Sequence, residues 1–402
     1  MAGEPIEIVH VGLHNTHAGP DFHSSHIRIG DTLWAGNVEI HLRSSDWERH
    51  NHHTDKSYDN VILHVVGKHD LEIYRTDSTK IPVLSLDKLI PRKISEAYLS
   101  LVECMDWIPC GRQISRLDSF FIRSWLYRVE IERLEQKSES ISDLLLECRG
   151  GWDEAFYICL ASNFGFKVNS MPFEMLARSL PQQLLARYKN RPLQIESLLF
   201  GQAGFLDQKP KDEYPRSLRR EYEFLRKKHS LKPLDSYIWK YMRMRPMNFP
   251  TIRLAQFAAL VIKSNHLFSG ILAEAEVEGI IKKFHALPVN SYWTNHYRFD
   301  VQSGRSSSNM GMQSINNILI NTVSAFLMAY GRKTGSVEHI NRSINLLENL
   351  PPETNSLTKR FKEINIKPDS AFFSQSLIQL KKDYCDEKKC LYCGIGMKLL
   401  NI

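Results

Sequence analysis

Three side chains near the start of the chain have the types and spacing for metal chemistry: Asp21 in "GPDF", and Glu39 and His41 in "GNVEIHL". In an extended segment successive side chains alternate, so Glu39 and His41 share one face with Asn37 and Arg43, while Val38, Ile40 and Leu42 take the other. Gly30-Asp31, between "SHIRIG" and "TLWAGN", is a good hairpin turn, and the pairing it sets carries Asp21 toward Glu39 to within a few residues. Two carboxylates brought together repel unless a proton or a cation lies between them, and a hard divalent ion is the usual solution. A histidine beside them can serve as ligand or base, and it tilts the preference from Mg²⁺ toward Mn²⁺, Fe²⁺ or Zn²⁺.

Other donors surround this set. His50, His52, His53 and Asp55 stand together in "HNHHTD", where His50 and His52 are candidate second-site ligands and a solvated loop is the bland alternative. His64 inside "VILHVV" reads as a hydrogen-bonded core histidine, and His14, His17, His23 and His26 flank Asp21. At the other end, "CDEKKCLYC" spaces Cys385, Cys390 and Cys393 as C-x4-C-x2-C. Three thiolates at that density fit a structural zinc or iron–sulfur site that needs a fourth ligand, for which Cys110 in "WIPCGR" is the best distant candidate. Reduced cysteines on a terminal helix and turn, with Cys390 buried, are the other reading.

The elements that must position these groups fall into two textures. Up to about residue 110 the chain reads as strands: 6–11, 25–30, 32–42, 61–66, 71–75 and 81–86. Ser45 followed by Glu48 has the capping-box pattern and predicts a helical turn or two after the third of these. From residue 111 onward the apolar period is 3.6, with helices predicted over 117–148, 152–163, 172–188, 217–229, 251–273, 312–330, 337–348 and 370–384. The expected fold class is α+β, with a mixed β-sheet domain over 1–110 and a large all-helical domain over 111–402. A Gly/Ser-rich stretch, "QSGRSSSNMG" (302–311), interrupts the helices.

The 402 residues, 43% hydrophobic and 24% charged, suffice for two or three cores of a soluble protein. No apolar run reaches bilayer length and the N-terminus lacks a basic leader, so no membrane partner is expected and the default location is the cytoplasm. The seven cysteines do not form a secreted disulfide framework. Of the net charge of +7, most sits between Asp207 and Arg245, where twelve Lys or Arg face six Asp or Glu. Such a segment attracts polyanions, or is simply a solvated helical face. Within it Arg219, Arg220, Lys227 and Lys228, together with Arg43 in the sheet part, are candidate phosphate contacts, with Tyr222, Phe224, Trp239 and Tyr241 available to stack on bases. Gly-rich phosphate loops, nucleophile elbows and H-E-x-x-H motifs are missing, which removes support for the common nucleotide-binding, serine-hydrolase and zinc-protease readings.

Pro20-Asp21, then Glu39-Ile40-His41, on a hairpin followed by a helix and a further strand, resembles the core of the PD-(D/E)XK nucleases. The resemblance implies that Asp21 and Glu39 hold Mg²⁺ or Mn²⁺, and that His41 occupies the place of the lysine that positions the attacking water and stabilises the phosphate. The expected function is therefore a metal-dependent nuclease or phosphodiesterase acting on nucleic acid, with Asp21, Glu39 and His41 catalytic. The alternative is a weak or inactive nucleic-acid-binding or scaffold protein on a nuclease-like fold. Some nucleases of this superfamily carry one distant and three C-terminal cysteines, at a different spacing. A second resemblance spans nearly the whole chain: "HNTHAGPDF", "WAGNVEIHLRSSDWERHNHHTDKSYDNVILHVV", "QIESLLFGQAGFL", "MRMRPMNFPTIRLAQFA" and "DYCDEKKCLYCGIGMKLL" resemble an uncharacterised bacterial family, a domain of unknown function. That likeness implies a further leading helical segment, which in a nuclease core carries another acidic residue.

Overall fold

The computed structural model describes residues 4–264, 266–304 and 308–401. The chain divides into two compact units, one running to Met105 and one spanning Asp106–Leu399. Cys110, grouped by sequence with the first part, thus falls in the same unit as Cys385, Cys390 and Cys393.

The first unit is built on a mixed sheet of β1 (Ile6–His10), β2 (Leu13–His14), β3 (Phe22–Ile29), β4 (Thr32–Arg43), β5 (Val61–Lys68) and β6 (Val83–Ser85). Its order is β1-β3-β4-β5-β6, with β2 pairing to β3. The connections dictate the mixture. A two-residue turn, Gly30-Asp31 with Gly30 at φ +57°, can only join antiparallel strands, so β1, β3 and β4 alternate in direction. Between β4 and β5 the chain crosses over through α1 (Asp46–Arg49) and two 3₁₀ turns (His52–Thr54 and Lys56–Tyr58), and β4, β5 and β6 run parallel.

Two small cores pack against this sheet, while Ile8, Leu33, Ile40 and Leu42 stay exposed. Val38 packs with Ile27, Ile29, Ile62 and Leu63 on one side, and Trp47, Tyr58, Val61, Ile73 and Ile81 form a second small core. Gly36 lies where β4 approaches the start of β5, and a Cβ there would stand 2.4 Å from Ile62 Cγ2 and 2.6 Å from the Asn60 carbonyl oxygen. The register shifts between Asn37 and Val38, so Val61 pairs opposite Asn37 and His64 opposite Glu39. This shift is why His64 joins the polar face although strict alternation from Val61 would turn it away.

Two local expectations are corrected. Residues 71–75 do not form a strand; they contribute an isolated bridge between Tyr74 and Lys80. The capping box does not form either, because the Ser45 hydroxyl donates to Asp70 Oδ2 and its backbone N–H to Asp70 Oδ1, leaving no side-chain cap on α1. The unit ends with α2 (Arg92–Glu103).

The second unit is helical: α3 (Ser119–Glu147), α4 (Trp152–Phe164), α5 (Phe166–Ser179), α6 (Gln182–Ala186), α7 (Pro192–Gln202), α8 (Glu213–His229), α9 (Pro250–Lys263), α10 (Leu267–Leu272), α11 (Val277–Phe284), α12 (Met312–Ile318), α13 (Ser324–Thr334), α14 (Val337–Asn349), α15 (Ser356–Glu363), α16 (Ala371–Gln379) and α17 (Gly394–Leu400). A small hairpin, β7 (His296–Arg298) with β8 (Val301–Gln302), interrupts it. The single helix predicted over 251–273 is two, because Ser264 is extended and His266 is left-handed at φ +49°. The sequence hid α7 for a physical reason: Ile195 to Gln202 are all buried, so no polar face marks a period. Among the described residues no helix is long and apolar enough to cross a membrane.

Candidate metal centre

The polar face of β4 delivers Glu39, buried at 5% exposure, and half-buried His41 side by side. Phe22 pairs with Val38, which brings Asp21 opposite Glu39. The two residues are tied reciprocally: the Asp21 N–H donates to Glu39 Oε2 at 3.1 Å, and the Ile40 N–H donates to Asp21 Oδ2 at 2.8 Å. Burial, and then the nearby Asp21 carboxylate, raise the Glu39 pKa to about 7, while the Asp21 N–H opposes them. A carboxyl so placed gains most from a cation.

The crossover supplies the rest. Trp47 of α1 is wholly buried and its Nε1–H donates to the Tyr74 carbonyl at 3.1 Å. Asp46 accepts the Arg43 N–H at 3.1 Å and pairs with Arg49 at 2.9 Å. These anchors fix the turn that follows, in which Asn51 is left-handed at φ +62° and reverses the chain between His50 and His52. Both rings then meet His41, with His50 Nδ1 lying 3.1 Å from His41 Nε2 and the His52 ring stacked on that of His41 at 5.4 Å. Tyr58 covers the other face of the group by stacking on His52 at 3.7 Å. His53 points to solvent.

One potential ligand atom each from His41, His50 and His52 lies within 4.8 Å of the others. Glu39 Oε1 stands 3.4 Å from His41 Nε2 and 3.5 Å from His52 Nε2. Ligands at about 2.1 Å from a tetrahedral ion are about 3.4 Å apart, a spacing that the separations of Glu39 from His41 and His52 match. The donor set of imidazole nitrogens and a carboxylate suits Zn²⁺, Mn²⁺ or Fe²⁺ better than Mg²⁺, which prefers oxygen and bound water. Burial and then neighbouring histidines lower the pKa of His41, and that of His52 to about 4.

His64 supports the group from β5. Its Nε2 lies 2.8 Å from His41 Nδ1, and burial with the His41 ring pushes its pKa down to about 3. His64 Nδ1 is buried with no hydrogen-bond partner. If His41 donates from Nδ1 to His64, the lone pair of His41 Nε2 is left toward Glu39, the tautomer a ligand needs.

Sequence reasoning therefore located Asp21, Glu39, His41, His50 and His52, but split them between a two-carboxylate site and a separate loop; the structure brings them together. It missed His64 and Tyr58 as parts of the site. Arg43 is exposed at the end of β4. In the helical unit, α8 buries Pro215, Leu218, Tyr222 and Leu225 and exposes Arg220, Lys227 and Lys228, with Arg219 paired to Glu223 at 3.1 Å. The stacking expectation is corrected in part: Tyr222 and Trp239 are core residues, donating to Gln202 Oε1 at 3.0 Å and to the Ala203 carbonyl at 2.8 Å, whereas Phe224 is exposed.

Cys110, Cys385, Cys390 and Cys393 all lie in the helical unit. Cys385 closes a π-helical turn (Leu380–Cys385), and Cys390 and Cys393 are buried just before α17. Burial pushes the Cys385 thiol up, and the thiols of Cys110, Cys393 and Cys390 add in the same direction. Cys393 is likewise raised by burial, against N–H groups of Gly396 and Ile395 that favour its thiolate.

Neither curated proteins nor solved structures give a match to this chain. A family described as "Protein of unknown function (DUF2851)" matches residues 1–356, and the chain belongs to that family.

Proposed function

We propose that the first unit is a metal-dependent phosphodiesterase acting on nucleic acid, with Glu39, His41, His50 and His52 holding one divalent ion and Asp21 completing its polar surroundings. The observation that carries this reading is the convergence of three imidazoles whose nitrogens lie within 4.8 Å of one another, with Glu39 Oε1 at 3.4 Å and 3.5 Å from two of them. A divalent ion there would lower the pKa of bound water and stabilise charge on a phosphoryl oxygen. Asp21 holds Glu39 through its N–H, His64 Nε2 holds His41 Nδ1 at 2.8 Å, and Tyr58 and Trp47 fix the His52 ring. His41 is then a ligand and not a substitute for a lysine. The choice of phosphodiester substrate is supported by the order hairpin, helical crossover, parallel strand around Asp21 and Glu39, which resembles the PD-(D/E)XK core, and by the exposed basic face of α8.

Cys110, Cys385, Cys390 and Cys393 are proposed as the ligands of a structural zinc or iron–sulfur centre, supported by the C-x4-C-x2-C spacing and by the action of the other three thiols on that of Cys385. For the hydrolytic reading, single- and double-stranded DNA and RNA are incubated with the full chain under Mn²⁺, Zn²⁺ or Mg²⁺. Cleavage that Glu39→Ala and His41→Ala each reduce at least a hundredfold is expected. Salt-sensitive binding with no cleavage under any ion would replace this reading with the non-catalytic one.

A further inference from the structure

Among the described residues, one buried cation of the helical unit forms no ion pair. Arg253, on α9, is 5% exposed, and its guanidinium is surrounded by neutral groups. Nη1 donates to Gln256 Oε1 at 2.9 Å, and Nη2 donates to Asn248 Oδ1 at 2.5 Å and to Ser314 Oγ at 2.9 Å. Nε is buried without a partner. Phe166, left-handed at φ +49°, lays its ring over the guanidinium at 4.4 Å. The same unit shows the usual solution elsewhere, where buried Arg133 pairs with buried Glu130 at 2.8 Å. Among the described residues no carboxylate pairs with Arg253.

Burying a charge without a partner is costly, and proteins retain such groups where something else completes them. Arg253 lines a pocket of about 970 Å³ that also takes in Arg245, Gln313, Asn316, Asn317 and Asn355. Arg245 is exposed, and Asn316 Oδ1 is a second buried polar atom without a partner. That volume is the size of a small-molecule site, and its wall combines two guanidinium groups and carboxamides with one carboxylate, Glu353, which accepts a hydrogen bond from Gln375.

We propose that this pocket binds a small molecule bearing an oxyanion group, phosphate or carboxylate, with Arg253 and Arg245 supplying the charge. The inference is independent of the metal centre. Desolvation lowers the Arg253 pKa only to about 10, so the cation persists at neutral pH.

The test is calorimetric titration of the full chain with inorganic phosphate, adenosine 5′-monophosphate and succinate, at fixed ionic strength. Saturable binding of at least one probe is expected, weakened tenfold or more by Arg245→Ala, an exposed position whose loss leaves the fold intact, and by Arg253→Met. Binding of the phosphates alone identifies a phosphoryl group, and binding of succinate identifies a carboxylate; either supports the proposal. Arg92→Ala, at an exposed position in the first unit, serves as control and is expected to bind as wild type. No saturable binding by any probe, or binding unaltered in both pocket variants, overturns it.

Discussion

At the scale of single residues, the site depends on histidines that stay neutral. His64 sits in an environment that lowers its pKa to about 3, while in the unfolded chain it titrates near its ordinary value of 6.5. The unfolded state therefore binds more protons as pH falls below 6.5, and the stability His64 contributes is lost between there and about 3. Comparing urea midpoints of metal-free wild type and His64→Leu from pH 7.5 to 4.5 should show the wild-type advantage shrinking as pH falls. A difference independent of pH would show that His64 is not held neutral. Glu39 works in the opposite sense: raised to about 7, it favours the metal-free fold when protonated and loses that contribution as pH rises from its ordinary value toward 7. Much of this was legible in the sequence, because alternation places Glu39 beside His41 and the turn index places Asp21 opposite. The link to His50 and His52 was not legible, since it depends on one left-handed residue, Asn51, that no spacing rule singles out.

At the scale of elements, the crossover after β4 is held by burial and by side-chain bonds from outside itself. α1 is four residues long, far below what is stable alone, and lacks a side-chain cap. Trp47 is its anchor, touching His52, Tyr58 and His64. Trp47→Ala is expected to cost about 3–5 kcal/mol by denaturant titration, as for other fully buried aromatic truncations, and to abolish metal binding. Retention of stability within 1 kcal/mol, as an order-of-magnitude margin, would show that the crossover is held otherwise. Gly36→Ala tests the close approach of β4 to β5: the new methyl meets Ile62 and the Asn60 carbonyl, and a loss of about 1–3 kcal/mol is expected. The hairpin was readable from its turn residues and the crossover from its helical start. The capping box misled because Ser45 has a better partner in Asp70, distant in sequence.

At the scale of the whole molecule, a mixed sheet is followed by a large helical part, with the histidines and Glu39 gathered in the first unit and the proposed cysteine ligands all in the second. The change from strand-like runs to a 3.6-residue period marked the helical part, whereas α7 and the break between α9 and α10 were not visible, because a fully buried helix shows no period and a left-handed break at His266 leaves no Gly or Pro mark. The two groupings are expected to bind metal independently. Metal analysis of purified wild type against Cys390→Ser should show the variant losing a zinc or iron signal; equal content would remove the cysteine site. The most direct test of the account is a titration of the chain with Co²⁺, whose absorption distinguishes imidazole and carboxylate ligation from thiolate ligation. In Cys390→Ser, one equivalent with a thiolate-free spectrum is predicted, lost in Glu39→Ala and in His41→Ala. Absence of stoichiometric binding, or binding that survives both substitutions, would contradict a metal centre built on Glu39 and His41.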